Sequence, residues 1–336
     1  MDKLSGTTPF IVMKNNYSNI KPILSLFILS PLIAELLFGS TPASRSFQLI
    51  FETFFYGSGV LLIREIVRRR SLGWISIILL GIAFGIVEEC ILLQSAFNPN
   101  FLGNDLSYGR ALGVNWVWAE YIIGYHAIWS ITIPILITEL IFPSKSTQPW
   151  LNTTGISITS LIYLLSCVAF YSTFIKITGF TTSFVHYSIA GLFALSLILL
   201  SLFLPNKISF KSLPKAPSFI VIGFVAFAAS AAWLGFFSLL FKQGAGLSPW
   251  MVELSGLLIV IILYILVSGW VKHDWNNNHR FSLAFGGLMV ASMLFGLITL
   301  AGAGNQLDII CQVVFILIAT GLLFLLKMRL LKSKAY

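Results

Sequence analysis

Glu88 and Glu89 are adjacent carboxylates inside the apolar run 72–97, and His126 lies in the next apolar run. An ionisable side chain at membrane depth is a functional-site hypothesis by default, because it is costly to keep there. Two like carboxylates in a low dielectric cannot both ionise readily, so the pair is expected to share one proton unless a cation compensates. Such a pair suits general acid/base work on water, proton coupling, or metal ligation beside a neutral imidazole. The structural alternative is that buried glutamates simply tie helices together by hydrogen bonds.

The elements that must position these groups are membrane helices. Of the 336 residues, 57% are hydrophobic and 10% charged, against about 25% charged in ordinary soluble domains. Mean hydropathy is +0.91. The expected fold is all-α, a polytopic transmembrane bundle of about ten spans, since crossing the hydrocarbon takes roughly 20 apolar residues per helix. The spans are placed at 20–39, 47–67, 72–97, 115–142, 154–176, 185–204, 218–241, 249–271, 282–302 and 307–327. They form a single integral membrane domain over 1–336, with a six-helix part at 20–204 that carries the polar site and a four-helix part at 218–327.

Lys and Arg follow the positive-inside rule if both termini are cytoplasmic. The inside set is Lys3, Lys14, Lys21, Arg68, Arg69, Arg70, Lys145, Lys207, Lys211, Lys215, Lys272, Arg280, Lys327, Arg329, Lys332 and Lys334, with Arg64 at a helix end. Only Arg45, Arg110, Lys176 and Lys242 fall outside. The net charge of +9 is thereby explained by topology and anionic lipid, and no nucleic-acid partner is read from it. Cys90, Cys167 and Cys311 each lie within a span, so they make neither a disulfide framework nor a C-x-x-C metal motif. The expected location is the bacterial inner membrane.

Seven of the eight glutamates, all but Glu65, fall inside apolar segments. With a rise of about 1.5 Å per residue, Glu89 lies roughly 12 Å below the outer end of its helix and His126 roughly 16 Å below that of the next. Glu35, Glu52, Glu120 and Glu253 occupy the outer halves of the first, second, fourth and eighth spans and, if those helices pack together, would make one outward-facing polar pocket. Gly81, Gly85 and Glu89 lie on one helix face, a small-residue pattern that admits a close neighbour. Ser130 shares a face with His126 one turn above Pro134, whose missing N–H frees a carbonyl. The candidate catalytic residues are therefore Glu88, Glu89 and His126, and the candidate binding residues Glu52, Glu120, Ser130 and Gln94. Candidate ligands for a divalent metal such as zinc are His126, His186 and Glu89. The loop 98–115 is either a lid over the acidic helices or a plain solvated connection.

A di-glutamate on one membrane helix, a histidine on the next and another further on resembles the CAAX-prenyl protease and bacteriocin-processing (Abi) family of intramembrane proteases. The resemblance covers about 72–204 and implies that Glu88 and Glu89 activate water with His126 and His186 completing the site. Leu93 stands where that family has arginine, Ile122 where it has an aromatic residue, and Ala190 where it has asparagine. The chain also resembles a group of bacterial multi-pass proteins marked by Tyr56-Gly57-Ser58-Gly59, the Arg64-Glu65 to Arg70 stretch, Gly85-Ile86-Val87-Glu88-Glu89, Phe97-Asn98-Pro99-Asn100 and His126-Ala127-Ile128-Trp129-Ser130.

Three functions follow as expectations. One is an intramembrane hydrolase with Glu89 as general base, Glu88 sharing its proton, and His126 as metal ligand or oxyanion stabiliser. Another is a proton-coupled transporter or exporter, and the third a non-catalytic membrane partner or immunity protein. The partners are the bilayer and a peptide or small-molecule substrate.

Overall fold

The computed structural model describes residues 19–204, 215–239, 244–271, 275–289, 296–303 and 305–332. Lys3, Lys14, Lys207, Lys211, Lys242, Lys272 and Lys334, used above for topology, lie outside the described residues. The architecture is an all-α bundle. Its helices are α1 (Ile20–Leu37), α2 (Gln48–Arg69), α3 (Trp74–Leu92), α4 (Trp116–Ile141), α5 (Thr153–Thr178), α6 (Phe184–Phe203), α7 (Phe219–Ser238), α8 (Pro249–Trp270), α9 (Asn277–Leu288), α10 (Gly296–Ala303) and α11 (Gln306–Lys332).

Seven of these, α1, α3, α4, α5, α6, α8 and α11, are long and apolar enough to cross a membrane. These seven match expected spans, and the other three expected spans, 47–67, 218–241 and 282–302, are not marked by length and composition; in 218–241 the apolar stretch is the shorter Phe219–Gly235. Helix α2 is a full 22 residues long but carries Glu52, Arg64, Glu65, Arg68 and Arg69, so its composition alone does not mark it. The expected span 282–302 corresponds to two shorter helices, α9 and α10. The first starts early because Asn276 and His279 close a reciprocal capping box at its N-terminus, which satisfies N–H groups that would otherwise lack partners.

Helices α3 and α4 are mostly buried by the rest of the chain, whereas α5, α6, α8 and α11 keep most of their surface outward. Leu161, Leu164, Leu165 and Val168 of α5 are among the outward residues. Apolar surface on this scale needs lipid for a solvent. Around the buried pair, α6 packs on α3, α5 and α1 pack on α2, and α9 packs on α7.

The two ends of the bundle differ in chemistry. At the basic end, Arg64 is fully buried and donates to the carbonyls of Gln148 (2.7 Å), Lys145 (3.0 Å) and Ser146 (3.0 Å) and to Glu139 (3.2 Å). Its guanidinium lies 3.3 Å from the Trp150 ring centroid. Glu65 accepts from the backbone N–H groups of Trp150 (2.9 Å) and Leu151 (3.2 Å), and Arg68 forks onto both oxygens of Glu139. One Arg-Glu dipeptide thus organises the whole α4–α5 connection, using the planar donor fork that lysine lacks.

The opposite end carries two β-hairpins, Asn100–Phe101 with Asn104–Asp105 and Arg110–Ala111 with Val114–Asn115. Their turns place Leu102-Gly103 and Leu112-Gly113 at positive φ, as a two-residue turn between right-twisted strands requires. Asn115 is fully buried and donates to the carbonyls of Leu106 and Tyr108 while capping α4 through Trp118 N–H (2.6 Å).

Candidate functional site

Three helices widen into a π-helical turn at the same level of the bundle: Leu32–Leu37 in α1, Val87–Leu92 in α3 and His126–Thr132 in α4. Such turns add a residue to the helical repeat and cluster at functional sites. Here they hold Glu35, then Glu88 and Glu89, then His126 and Ser130. Prolines explain two of them locally. Pro134 has no N–H for the Ser130 carbonyl four residues back, and that carbonyl instead accepts from Ser30 Oγ of α1 at 2.6 Å. Pro31 likewise frees the Phe27 carbonyl, which Gly57 of α2 approaches so closely that a Cβ there would lie 2.5 Å from it.

Further freed or terminal carbonyls are taken by side chains from neighbouring elements. Tyr125 donates to Ala34 O at 2.7 Å, and Gln312 of α11 donates to Leu37 O at 2.7 Å. Inside a membrane every backbone polar group must find such a partner. The π turns are accordingly locked to adjacent helices at the level where the acidic groups sit.

Glu89 Oε1 lies 2.9 Å from His126 Nε2. The other ring nitrogen, Nδ1, lies 3.0 Å from Ser130 Oγ and 3.3 Å from Glu88 Oε2. Ser95 Oγ donates to Glu89 Oε2 and accepts from Trp118 Nε1 at 2.9 Å. Tyr56 of α2 donates its phenolic proton to Glu88 Oε1, and its ring stacks over His126 with centroids 6.0 Å apart. Glu88, Glu89 and His126 are all buried, at 2–3% exposure. Glu88 Oε2 has no hydrogen-bond partner.

Of the residues singled out in the sequence, Glu88, Glu89, His126 and Ser130 come together. Glu52 sits half-buried near the hairpin end, accepting from Thr41 Oγ1 at 2.7 Å and facing Glu35. Glu120 stands apart, half-buried toward Glu253 of α8. Gln94, in a left-handed conformation (φ +59°), accepts from Thr182 N–H at 2.8 Å and ties α3 to the start of α6. His186 faces Thr182, Ser183 and the Leu112 carbonyl and stacks on Phe97, at the hairpin end rather than among the acidic turns. Tyr56, Ser95 and Trp118 join the cluster without having been singled out for chemistry. A lone tyrosine hydroxyl in an apolar helix and a serine just past a di-glutamate were the available signals.

Glu88, Glu89 and His126 each offer a ligand atom within 4.8 Å of the others, a group that can hold a metal ion. The two carboxylates approach different nitrogens of one ring, so an ion on Nε2 would gain Glu89 while Glu88 stayed beside Nδ1. Both oxygens of Glu89 are already engaged, by His126 and Ser95.

No curated protein and no solved structure matches the chain. Residues 24–333 match the family described as an uncharacterized membrane protein family, and the chain, a multi-pass membrane protein with a buried Glu/His group, belongs to that family.

Proposed function

We propose that Glu88, Glu89 and His126 form a proton-binding site at membrane depth and that the chain is a proton-coupled transporter or exporter of a small solute. The observation that carries this reading is the single imidazole with a glutamate beside each nitrogen, 2.9 Å at Nε2 and 3.3 Å at Nδ1. In that geometry the ring stands between the two acids, hydrogen-bonded to Glu89 through Nε2, with Ser130 and the Glu88 carboxylate beside Nδ1, and an imidazole can accept at one nitrogen and donate from the other. Chains of Glu and His facing the interior of a bundle are what proton pathways use. In this reading the basic end faces the cytoplasm, the chain crosses a bacterial inner membrane ten times, both termini are cytoplasmic, and residues 1–336 act as one domain.

The test is a step from about pH 8 to about pH 5, across the range in which histidine titrates, applied to proteoliposomes on a solid-supported membrane. Protons binding within the membrane field give a transient charge displacement. It is expected in wild type and absent from Glu89→Gln and His126→Gln of unchanged thermal stability. A folded wild type that moves no charge overturns the reading.

The second reading is the intramembrane hydrolase. Glu88 Oε2, buried and without a hydrogen-bond partner, favours it, because a general base needs an unengaged oxygen within reach of the proton it abstracts. Cleavage of a peptide substrate that survives Glu88→Gln would remove this alternative.

A further inference from the structure

We propose that protons reach the Glu88–Glu89–His126 cluster from the hairpin end through alternating carboxyls and hydroxyls: Glu52, Thr41, Glu35 and Tyr56. This rests on the proton-binding reading of the cluster. It assigns roles to Thr41, Glu35 and Tyr56 that the cluster itself does not require.

The two end links are side-chain hydrogen bonds, and Glu35 stands between them. Thr41 Oγ1 donates to Glu52 Oε1 at 2.7 Å, and the Glu35 carboxyl lies in the electrostatic neighbourhood of Thr41 and Tyr56. Thr41 N–H donates to the Glu35 carbonyl at 3.3 Å, which fixes the threonine against the π turn of α1. The Glu35 carboxyl in turn neighbours the Tyr56 hydroxyl, and Tyr56 donates to Glu88 Oε1. Glu52 is half-buried at the outer end of the path, and the groups beyond it are buried, with Thr41 at 3% exposure, Glu35 at 9%, and Tyr56 and Glu88 at 2%.

A buried carboxylate oxygen without a hydrogen bond stands at each end of the path, Glu52 Oε2 and Glu88 Oε2, the latter 3.3 Å from His126 Nδ1. An ionised oxygen left in that state is expensive, and a protonated one far less so. The other titratable groups facing the path are Arg45 beside Glu52, Glu89 and Tyr125 beside Glu35, and Tyr125, Tyr163 and Cys167 around Glu88. Arg45, exposed at the mouth beside Glu52, is the one cation among these described groups.

The transfer balances without any other reactant. A protonated Glu52 donates to Thr41 Oγ1, whose own proton turns to Glu35. Tyr56 then gives its phenolic proton to Glu88 and takes the one held by Glu35. One proton has moved inward, each hydroxyl is again neutral, and no other bond has changed. The alternation matters because two carboxylates in direct contact would repel in a low dielectric, whereas a hydroxyl both donates and accepts.

The experiment is the rate of charge displacement after the same pH step. Tyr56→Phe, Thr41→Val and Glu52→Gln are each expected to slow it on the order of a hundredfold, the usual cost of losing a positioned proton-transfer group. The total charge moved at long times should stay near wild type in Thr41→Val and Glu52→Gln, because neither residue touches the cluster. Asp105→Asn, an exposed carboxylate of the hairpin end that is off the path, should change neither. A merely structural role would lower amplitude and thermal stability without slowing the surviving signal. Unslowed displacement in Glu52→Gln and Thr41→Val overturns the path even if Tyr56→Phe fails to fold, and leaves the cluster reading standing. A silent wild type overturns both.

Discussion

Gly85 of α3 meets Ile123 of α4 so closely that a Cβ at position 85 would lie 3.0 Å from the Ile123 Cα and 3.1 Å from its carbonyl oxygen. One turn away, a Cβ on Gly81 would lie 2.9 Å from the Ala127 Cα. These two backbone contacts set the separation of α3 and α4, and that separation sets the 2.9 Å between Glu89 and His126. Close backbone approach through small residues is the main packing device available where lipid offers no hydrophobic drive.

Gly85→Val is therefore expected to separate the helices and to cost about 1–3 kcal/mol, the usual range for overpacking. Its thermal unfolding in detergent should shift down, and the pH-driven charge displacement should be lost even in protein that remains folded. Gly191 of α6 has nothing within 4 Å of its would-be Cβ, so Gly191→Ala serves as the neutral comparison. Wild-type stability and charge movement in Gly85→Val would show that the helix spacing does not control the cluster.

The α4–α5 connection depends on Arg64. Arg64→Met should cost about 3–5 kcal/mol, as expected when one partner of a buried charged network is removed. Glu139 keeps Arg68, with Nε at 2.7 Å from Oε1, so the larger part of the loss is expected from the carbonyls of Lys145, Ser146 and Gln148 left without their donor. Arg64→Lys should rescue little, because an ammonium cannot reach three carbonyls, a carboxylate and the Trp150 face at once. Thermal shift, together with the rate of tryptic cleavage after Lys145, reads both variants. A lysine variant as stable as wild type would mean that charge alone, rather than the donor fork, holds the connection.

The sequence was most legible where chemistry was most costly. Adjacent Glu88 and Glu89 in an apolar run, a histidine at matching depth on the next helix, and Gly81 and Gly85 on the same face as Glu89 were all visible from type and spacing. Pro134 announced a freed carbonyl. That Ser30, a hundred residues earlier, takes it could not be seen, because helix neighbours are set by the packing of the whole bundle. The same limit hid Tyr56 and Ser95, whose hydroxyls carry no signal until a carboxylate is placed beside them. The sequence offered His186 as a candidate metal ligand and Gln94 as a candidate binding residue. Their partners, Leu112 O and Thr182 N–H, are backbone groups of segments whose course no periodicity reports. The composition of α2 misleads in the opposite sense, since its charges mark the clamp at the basic end.

Asn115 fixes the hairpins above the site. Its side-chain amide donates to two loop carbonyls, and its oxygen caps α4 at Trp118 N–H. Asn115→Asp keeps the cap but loses both donors, so any loss it shows belongs to the hairpins. It is expected to be destabilised by about 1–3 kcal/mol, the cost of buried acceptors left unpaired. Arg110, which donates to the Phe97 and Gly113 carbonyls, should then become cleavable by trypsin. Resistance at Arg110 equal to wild type would place the anchoring of the loop elsewhere.

Metal content separates the proton-binding reading from a metallohydrolase. If His126 shares protons with Glu88 and Glu89, detergent-purified protein should hold no stoichiometric zinc or similar ion, and a chelator should leave the pH-driven charge displacement and the thermal stability unchanged. Structural zinc, by contrast, contributes on the order of 10 kcal/mol to the fold that holds it, so its removal would be conspicuous in thermal unfolding. The geometry makes the contrast sharp, because Glu89 Oε1 cannot both keep its proton-sharing contact with Nε2 and share an ion with that same nitrogen. One zinc per chain, lost in both Glu89→Gln and His126→Ala at matched folding, would convert the cluster into a first coordination shell. The hydrolase would then become the leading reading, and the path through Tyr56 would lose its terminus.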